Sequence, residues 1–129
     1  MLTGWQLWYG GIWYYFDGSG AMYKSRWLLS GSTWYYLGKD GKMATGLQTI
    51  GGTGYGFSSG GAMLTGWQSF NGKWYYFDGS GAMYKSRWLL YGGSWYYLGP
   101  DGIMYENGIF LVDGSFSRFD SSGVWLGYF

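Results

Sequence analysis

Eight tryptophans stand in four pairs seven or eight residues apart: Trp5 and Trp13, Trp27 and Trp34, Trp67 and Trp74, Trp88 and Trp95. Indole faces arranged around a space can hold a quaternary ammonium, which donates no conventional hydrogen bond and carries a diffuse charge. Each face contributes about 0.5–2 kcal/mol, depending on desolvation. Three rings supply roughly 3–5 kcal/mol before binding costs, which places one site near the millimolar range. Tight attachment then needs several sites engaged on one polymer. Other chemistry is scarce. The chain has no His and no Cys, so no Ser-His-Asp or Cys-His set can be drawn, and the commonest metal ligand is missing. Glu106 is the only Glu, and Asp17, Asp40, Asp78 and Asp101 recur beside Gly, where a turn carboxylate accepting backbone N–H bonds is the natural reading. None is singled out as one of two carboxylates flanking a cleft. No catalysis, cofactor or metal is expected.

The elements that position these rings are repeats. The phrase WYYFDGSGAMYKSRWLL occurs at Trp13–Leu29 and again at Trp74–Leu90, 61 positions on. Within it runs a shorter period of about 20 residues, dividing the chain into six units: Leu2–Met22, Tyr23–Met43, Ala44–Met63, Leu64–Met83, Tyr84–Met104 and Tyr105–Trp125, with a tail Leu126–Phe129. Each unit ends at Gly-x-Met or its equivalent, and three short units make one long one. Aromatic and β-branched runs of four or five residues bounded by Gly, Asn, Asp and Ser read as strands and turns. Asn71-Gly72 suits the positive φ values of a two-residue hairpin turn, and Gly10-Gly11, Gly31-Ser32 and Gly92-Gly93 occupy the same place in their units. One hairpin per unit follows. An isolated hairpin is marginal in water, so each needs a neighbour on which to stack its rings. The fold class is all-β, a β-solenoid of stacked hairpins forming a single repeat module over residues 1–129. Almost no helix is expected, because no window carries apolar residues at helical spacing and Gly, at 27 of 129 residues, recurs too often.

The net charge is +1, with Lys and Arg scattered singly, so no basic footprint for nucleic acid exists. No stretch is long enough to span a bilayer. The chain opens at Met1-Leu2-Thr3-Gly4-Trp5 in mid-repeat, without a signal peptide, and reads as a module of a larger protein.

The pattern Gly-Trp-x(7)-Trp-Tyr-Tyr-(Phe/Leu)-x(4)-Gly-x-Met resembles the choline-binding, or cell-wall-binding, repeats of Gram-positive surface proteins and of bacterial and phage lysins. It is clearest at Gly4-Trp5, Trp13-Tyr14-Tyr15-Phe16 and Gly20-Ala21-Met22, and again at Gly66-Trp67, Trp74-Tyr75-Tyr76-Phe77 and Gly81-Ala82-Met83. The resemblance implies a left-handed solenoid with about three units per turn. It also implies a secreted or cell-surface location and choline from teichoic acid bound between adjacent hairpins. Related repeats in the glucan-binding regions of glucansucrases and in clostridial toxins bind carbohydrate. An α-glucan module, in which rings stack on sugar faces and Gln6 and Gln68 bond hydroxyls, is therefore the alternative, and a structural or engineered scaffold is a second one.

In the resembling family two Trp come from one unit and a further aromatic from the next. Carried over, this implies one cage of Trp5, Trp13 and Tyr36 with Met22 as floor, and another of Trp67, Trp74 and Tyr97 with Met83 as floor. The second Tyr of each Trp-Tyr-Tyr is chosen because it shares a face with the Trp two positions earlier; Tyr35 and Tyr96 are the alternatives if a bulge shifts the register. Trp27 with Trp34 and Trp88 with Trp95 are weaker candidates. In the third unit Leu47, Gly54 and Gly56 replace the two Trp and the second Tyr, depriving Trp27 and Trp34 of a wall. In the sixth, Ile109, Phe116 and Arg118 stand there, and Arg118 is expected to face Trp88 and Trp95 with a cation. Two good sites and two damaged ones are expected, the good ones about one turn apart on the same side. Packing competes with recognition throughout, since Trp and Tyr in a thin solenoid also form its core. Unpaired edges and aromatic faces at the ends allow head-to-tail stacking or dimers, against simple capping by Gly127-Tyr128-Phe129.

Overall fold

The computed structural model describes all 129 residues, Met1–Phe129, and contains strands and turns with no helix. Six antiparallel hairpins follow one another: β1 (Gly4–Trp8) with β2 (Ile12–Phe16), β3 (Arg26–Ser30) with β4 (Thr33–Leu37), β5 (Gly46–Ile50) with β6 (Thr53–Phe57), β7 (Gly66–Phe70) with β8 (Lys73–Phe77), β9 (Arg87–Tyr91) with β10 (Ser94–Leu98), and β11 (Gly108–Val112) with β12 (Ser115–Phe119). A last strand, β13 (Trp125–Tyr128), pairs antiparallel with β12, so the C-terminal residues extend the sixth hairpin into a three-stranded sheet. The chain forms two compact units, Met1–Leu64 and Thr65–Phe129, each containing three hairpins.

The turns explain the hairpins. Asn71 and Gly72 both have positive φ, 53° and 77°, the backbone that a tight two-residue turn requires and that matches the strand twist. The first hairpin departs from the expected pattern: Tyr9-Gly10-Gly11 forms a three-residue loop between β1 and β2.

Each hairpin has two faces, fixed by the register. In the second, Trp27 lies opposite Tyr36 and Leu29 opposite Trp34, which puts Trp27, Trp34 and Tyr36 on one face. Leu28, Tyr35 and Leu37 lie on the other. We call these the front and the back. Within Met1–Leu64 and within Thr65–Phe129 the front of one hairpin packs on the back of the next: Trp5 on Tyr35, Trp27 on Tyr55 and Phe57, Trp67 on Tyr96, Trp88 on Phe119. Most of the buried side chains accordingly lie on back faces. Leu37, Phe57, Phe77, Leu98 and Phe119, each ending the second strand of its hairpin, are at most 2% exposed.

A short turn that closes on Met, or on Trp125 in the sixth hairpin, returns the chain after each such residue, and it reads Asp-Gly-Ser-Gly-Ala-Met after Phe16 and Phe77. Asp17 Oδ1 accepts hydrogen bonds from Ser19 N, Ser19 Oγ and Ala21 N, and Asp78 repeats this with Ser80 and Ala82. The Ser19 hydroxyl, followed by the backbone donors, holds the Asp17 carboxyl below its ordinary range; Ser80 does the same for Asp78 against an opposing effect of burial. The closing Met then bridges back, Met22 to Phe16 and Met83 to Phe77.

Candidate functional site

The front-to-back packing brings further rings to each tryptophan pair, and open cavities lie at Trp5 with Trp13, at Trp67 with Trp74 and at Trp88 with Trp95. In the first, Trp5 and Trp13 meet at 6.2 Å between ring centroids and 86° between planes, and Tyr35 stands 4.9 Å from Trp5 at 67°. Met43 and Gly60 complete an open cavity of about 300 Å³. Its counterpart in Thr65–Phe129 has Trp67 and Trp74 at 6.5 Å and 83°, with Tyr96 at 5.1 Å from Trp67. Tyr91, Met104 and Ser122 also line that cavity, of about 310 Å³. No charged side chain lines either one.

Tyr36 and Tyr97, expected as third walls, are elsewhere. Tyr36 packs on Trp27 and Tyr97 on Trp88, each at the front of its own hairpin. Sharing a face with its own Trp is the reason: the wall of a neighbouring cage must come from the opposite face, where Tyr35 and Tyr96 point. No bulge is involved. β3–β4 and β9–β10 pair in unbroken register.

Met22 and Met83 are likewise displaced from the expected floors. Each closes its unit on the back side, where Met22 fills the space beside Gly41 and Met83 the space beside Gly102 and Tyr75. The methionine that reaches a cage comes from the next unit. Met43 N donates to Trp13 O at 3.0 Å and Met104 N to Trp74 O at 2.9 Å, which ties each of these segments to the preceding front face.

Neither tryptophan pair expected to be damaged lacks a third ring. Trp27 and Trp34 lie 6.3 Å apart at 86°, and Tyr55 stands 4.9 Å from Trp27 at 71°. Gly56 is on the front of the third hairpin, opposite Leu47, so its lack of a side chain costs this cage nothing. Met63 N bonds Trp34 O at 2.9 Å, repeating the pattern of the other cages.

At Trp88 and Trp95 the wall is rebuilt from different residues. Ser117 occupies the position of Tyr35 and is fully buried. Trp125, which ends the sixth unit where the others have Met, stands 5.8 Å from Trp88 at 76°. Together with Tyr128 it lines a cavity of about 320 Å³ with Trp88 and Trp95. Arg118 does not face these rings. It lies on the front of the last sheet, between Ile109 and Gly127, with its guanidinium 5.2 Å above the Phe129 ring. The ring lost at the tyrosine position thus returns at the methionine position. The sequence carried the signal, a Trp closing a Gly-x-Met unit.

Exposure separates these rings from core. Trp13, Trp34, Trp74 and Trp95 are 37%, 42%, 43% and 42% exposed, so each leaves ring surface open to solvent, whereas a packing role alone would bury it. Gln6 and Gln68 are committed to their own chain, donating to Thr3 O and Thr65 O. Arg26 and Arg87 each lie 3.9 Å over a tyrosine of their own repeat, Tyr23 and Tyr84. No group of three His, Cys, Asp or Glu side chains is placed to hold a metal ion.

Comparison with known families and structures finds the same unit. The choline-binding repeat family matches residues 44–88, and the cell wall binding repeat family matches residues 3–22, 25–43 and 86–104. Choline binding protein F from Streptococcus pneumoniae is 39% identical over 96% of this chain and 42% of that one, with a TM-score of 0.84. It has also been solved in the presence of a peptidoglycan analogue, a tetrasaccharide-pentapeptide. CbpJ from Streptococcus pneumoniae TIGR4 is 40% identical, over 96% of this chain and 42% of that one, with a TM-score of 0.85. The choline binding domain of Spr1274 from Streptococcus pneumoniae is 34% identical over 65% of this chain and 96% of its own length, with a TM-score of 0.56. The chain spans about two fifths of the length of the first two proteins. The comparison with curated proteins finds no match.

Proposed function

The chain belongs to the choline-binding, or cell-wall-binding, repeat family, and from that premise we propose that it is a non-catalytic module that grips choline groups of a cell-wall polymer. The observation that carries this reading is the repeated cage: two perpendicular tryptophans, one of them open to solvent, with a third aromatic ring about 5–6 Å from the more buried indole. Ring faces around an uncharged cavity suit a trimethylammonium head, which gains from each face and needs no hydrogen-bond acceptor. Four such cages, two in Met1–Leu64 and two in Thr65–Phe129, make the module multivalent. Individually weak sites then combine into firm attachment to a polymer carrying choline at intervals.

The polymer is teichoic acid at the surface of a Gram-positive cell, and the module acts as the anchor of a larger secreted or surface protein. Catalysis has no place in this reading, because what lines the cages is rings, methionine and small residues.

Titration of the purified chain with choline, followed by tryptophan fluorescence and thermal stability, tests the proposal. Maltose and isomaltose oligomers run alongside. A saturable response near millimolar choline, reduced in W13A and in W74A, is the expected result. Silence with choline and a response to an oligosaccharide would move the same tryptophans to sugar stacking and overturn it.

A further inference from the structure

The two copies of WYYFDGSGAMYKSRWLL are identical through Leu29 and Leu90, and the first residue after them differs: Ser30 in one, Tyr91 in the other. That position ends the first strand of the second and fifth hairpins, on the back face, paired with Thr33 and Ser94 respectively. Back faces wall the cage of the preceding hairpin. Tyr91 accordingly stands 6.2 Å from Trp67 at 88°, and 6.2 Å from Tyr76. It lines the Trp67–Trp74 cavity while remaining 51% exposed. Of the rings that stand at steep angles to Trp67, Trp74 at 83°, Tyr96 at 68° and Tyr91 at 88° line its cavity, whereas the cavity at Trp5 and Trp13 has Tyr35 as its only tyrosine wall.

We propose that Tyr91 is a specificity-determining residue, the fourth wall that makes the Trp67–Trp74 cage the tighter and more cation-selective of the two repeat-equivalent sites. The inference rests on the choline reading above and deepens it. A fourth ring replaces solvent on one open side of the bound ammonium. It adds a face of its own and, by excluding water, strengthens the attraction of the other three. Both effects act on the charge. They favour choline over its neutral isostere, 3,3-dimethyl-1-butanol, more strongly than ring burial alone does. Ser30 offers no face, so the first cage gains neither effect.

The reciprocal exchange tests this in the full chain. Choline and 3,3-dimethyl-1-butanol are titrated separately while the indole N–H resonances of Trp13 and Trp74 report each cage. In the native chain choline binds the Trp74 cage more tightly than the Trp13 cage. Y91S weakens choline at Trp74 by about 2- to 5-fold, the worth of one partly exposed face, and leaves Trp13 unchanged. Y91F, which keeps the ring, retains the native affinity, and S30Y tightens the Trp13 cage by a similar factor. The preference for choline over the isostere moves with the affinity. If choline binds at Trp74 and Y91S leaves both its affinity and that preference unaltered, the inference falls while the choline reading stands. If choline perturbs neither Trp13 nor Trp74 in the native chain, the choline reading falls and takes the inference with it.

Discussion

Trp5 and Tyr35 face one another at 4.9 Å and 67° although they belong to consecutive hairpins, one on a front face and the other on a back face. Tyr36, its neighbour in sequence, lies on Trp27 instead, at 5.1 Å. One residue step along β4 therefore moves a tyrosine hydroxyphenyl group from one cage to the next, because successive side chains of a strand point to opposite faces.

Removing Tyr35 should strip the first cage alone. Y35A is expected to weaken choline at Trp13 by about 2- to 30-fold, the range that one ring face is worth. Y36A should leave Trp13 unaffected and disturb the signal of Trp27, on which that ring packs. Site-resolved titration of the indole resonances distinguishes the two variants. Equal effects on Trp13 would contradict the front-to-back assignment.

The fourth cage depends on a residue exchange that can be reversed. Equilibrium dialysis of the native chain should find four choline equivalents. W125M installs the residue that the other units carry at this position and should reduce the count to three. Adding S117Y restores the tyrosine wall in the space the indole vacates, so the double variant S117Y/W125M should recover the fourth equivalent. Three equivalents in the native chain, or four in W125M, would remove β13 from the site.

Gly61 is needed for the floor of the first cage. Its φ is +86°, and a Cβ there would meet the Met43 side chain at Sδ, Cε and Cγ. G61A combines an unfavourable left-handed backbone with displacement of that thioether. A loss of about 1–3 kcal/mol in the compact unit Met1–Leu64 is expected from urea denaturation followed by fluorescence. Choline affinity at Trp13 should fall with it, since Met43 lines that cavity.

Alkaline pH should loosen the compact unit Thr65–Phe129. Burial raises the Tyr97 hydroxyl above the ordinary tyrosine range, with Asp113 and Tyr105 adding to it and a bond to Ser86 opposing. Burial, then Asp101, raises Tyr75. A group that holds its proton more firmly when folded contributes stability below its unfolded pKa. That contribution disappears as pH rises through the folded value, so stability should decline above about pH 10. Urea midpoints measured across that range should fall in the native chain and fall less in Y97F. A midpoint that rises with pH there would reverse the sign and refute the assignment.

Much of this was legible in the chain. Gly-bounded aromatic runs specified hairpins, since Asn71-Gly72 and its equivalents take positive φ at little cost and longer apolar periods are absent. The four tryptophan pairs were equally legible, because every unit that makes a cage places its Trp residues at matching points of its two strands. The third wall was harder to read. Period-2 alternation relates Tyr35 and Tyr36 to their own strand, and it is silent on which face the next hairpin turns toward Trp5. The floors were misread for the same reason: Met22 belongs to the first unit by sequence, yet the methionine that reaches Trp5 and Trp13 is Met43.

What the sequence determined by itself is the set of local objects, six hairpins with a tryptophan pair on four of them, because strand, turn and ring spacing are fixed by neighbours in the chain. What only the tertiary structure decided is the composition of each ring cluster: Tyr35 in place of Tyr36, Tyr55 beside Trp27, Trp125 standing in for the ring that Ser117 lacks, and Tyr91 added at Trp67. A cage wall is a contact between the front of one hairpin and the back of another, and its identity is set by how those faces stack.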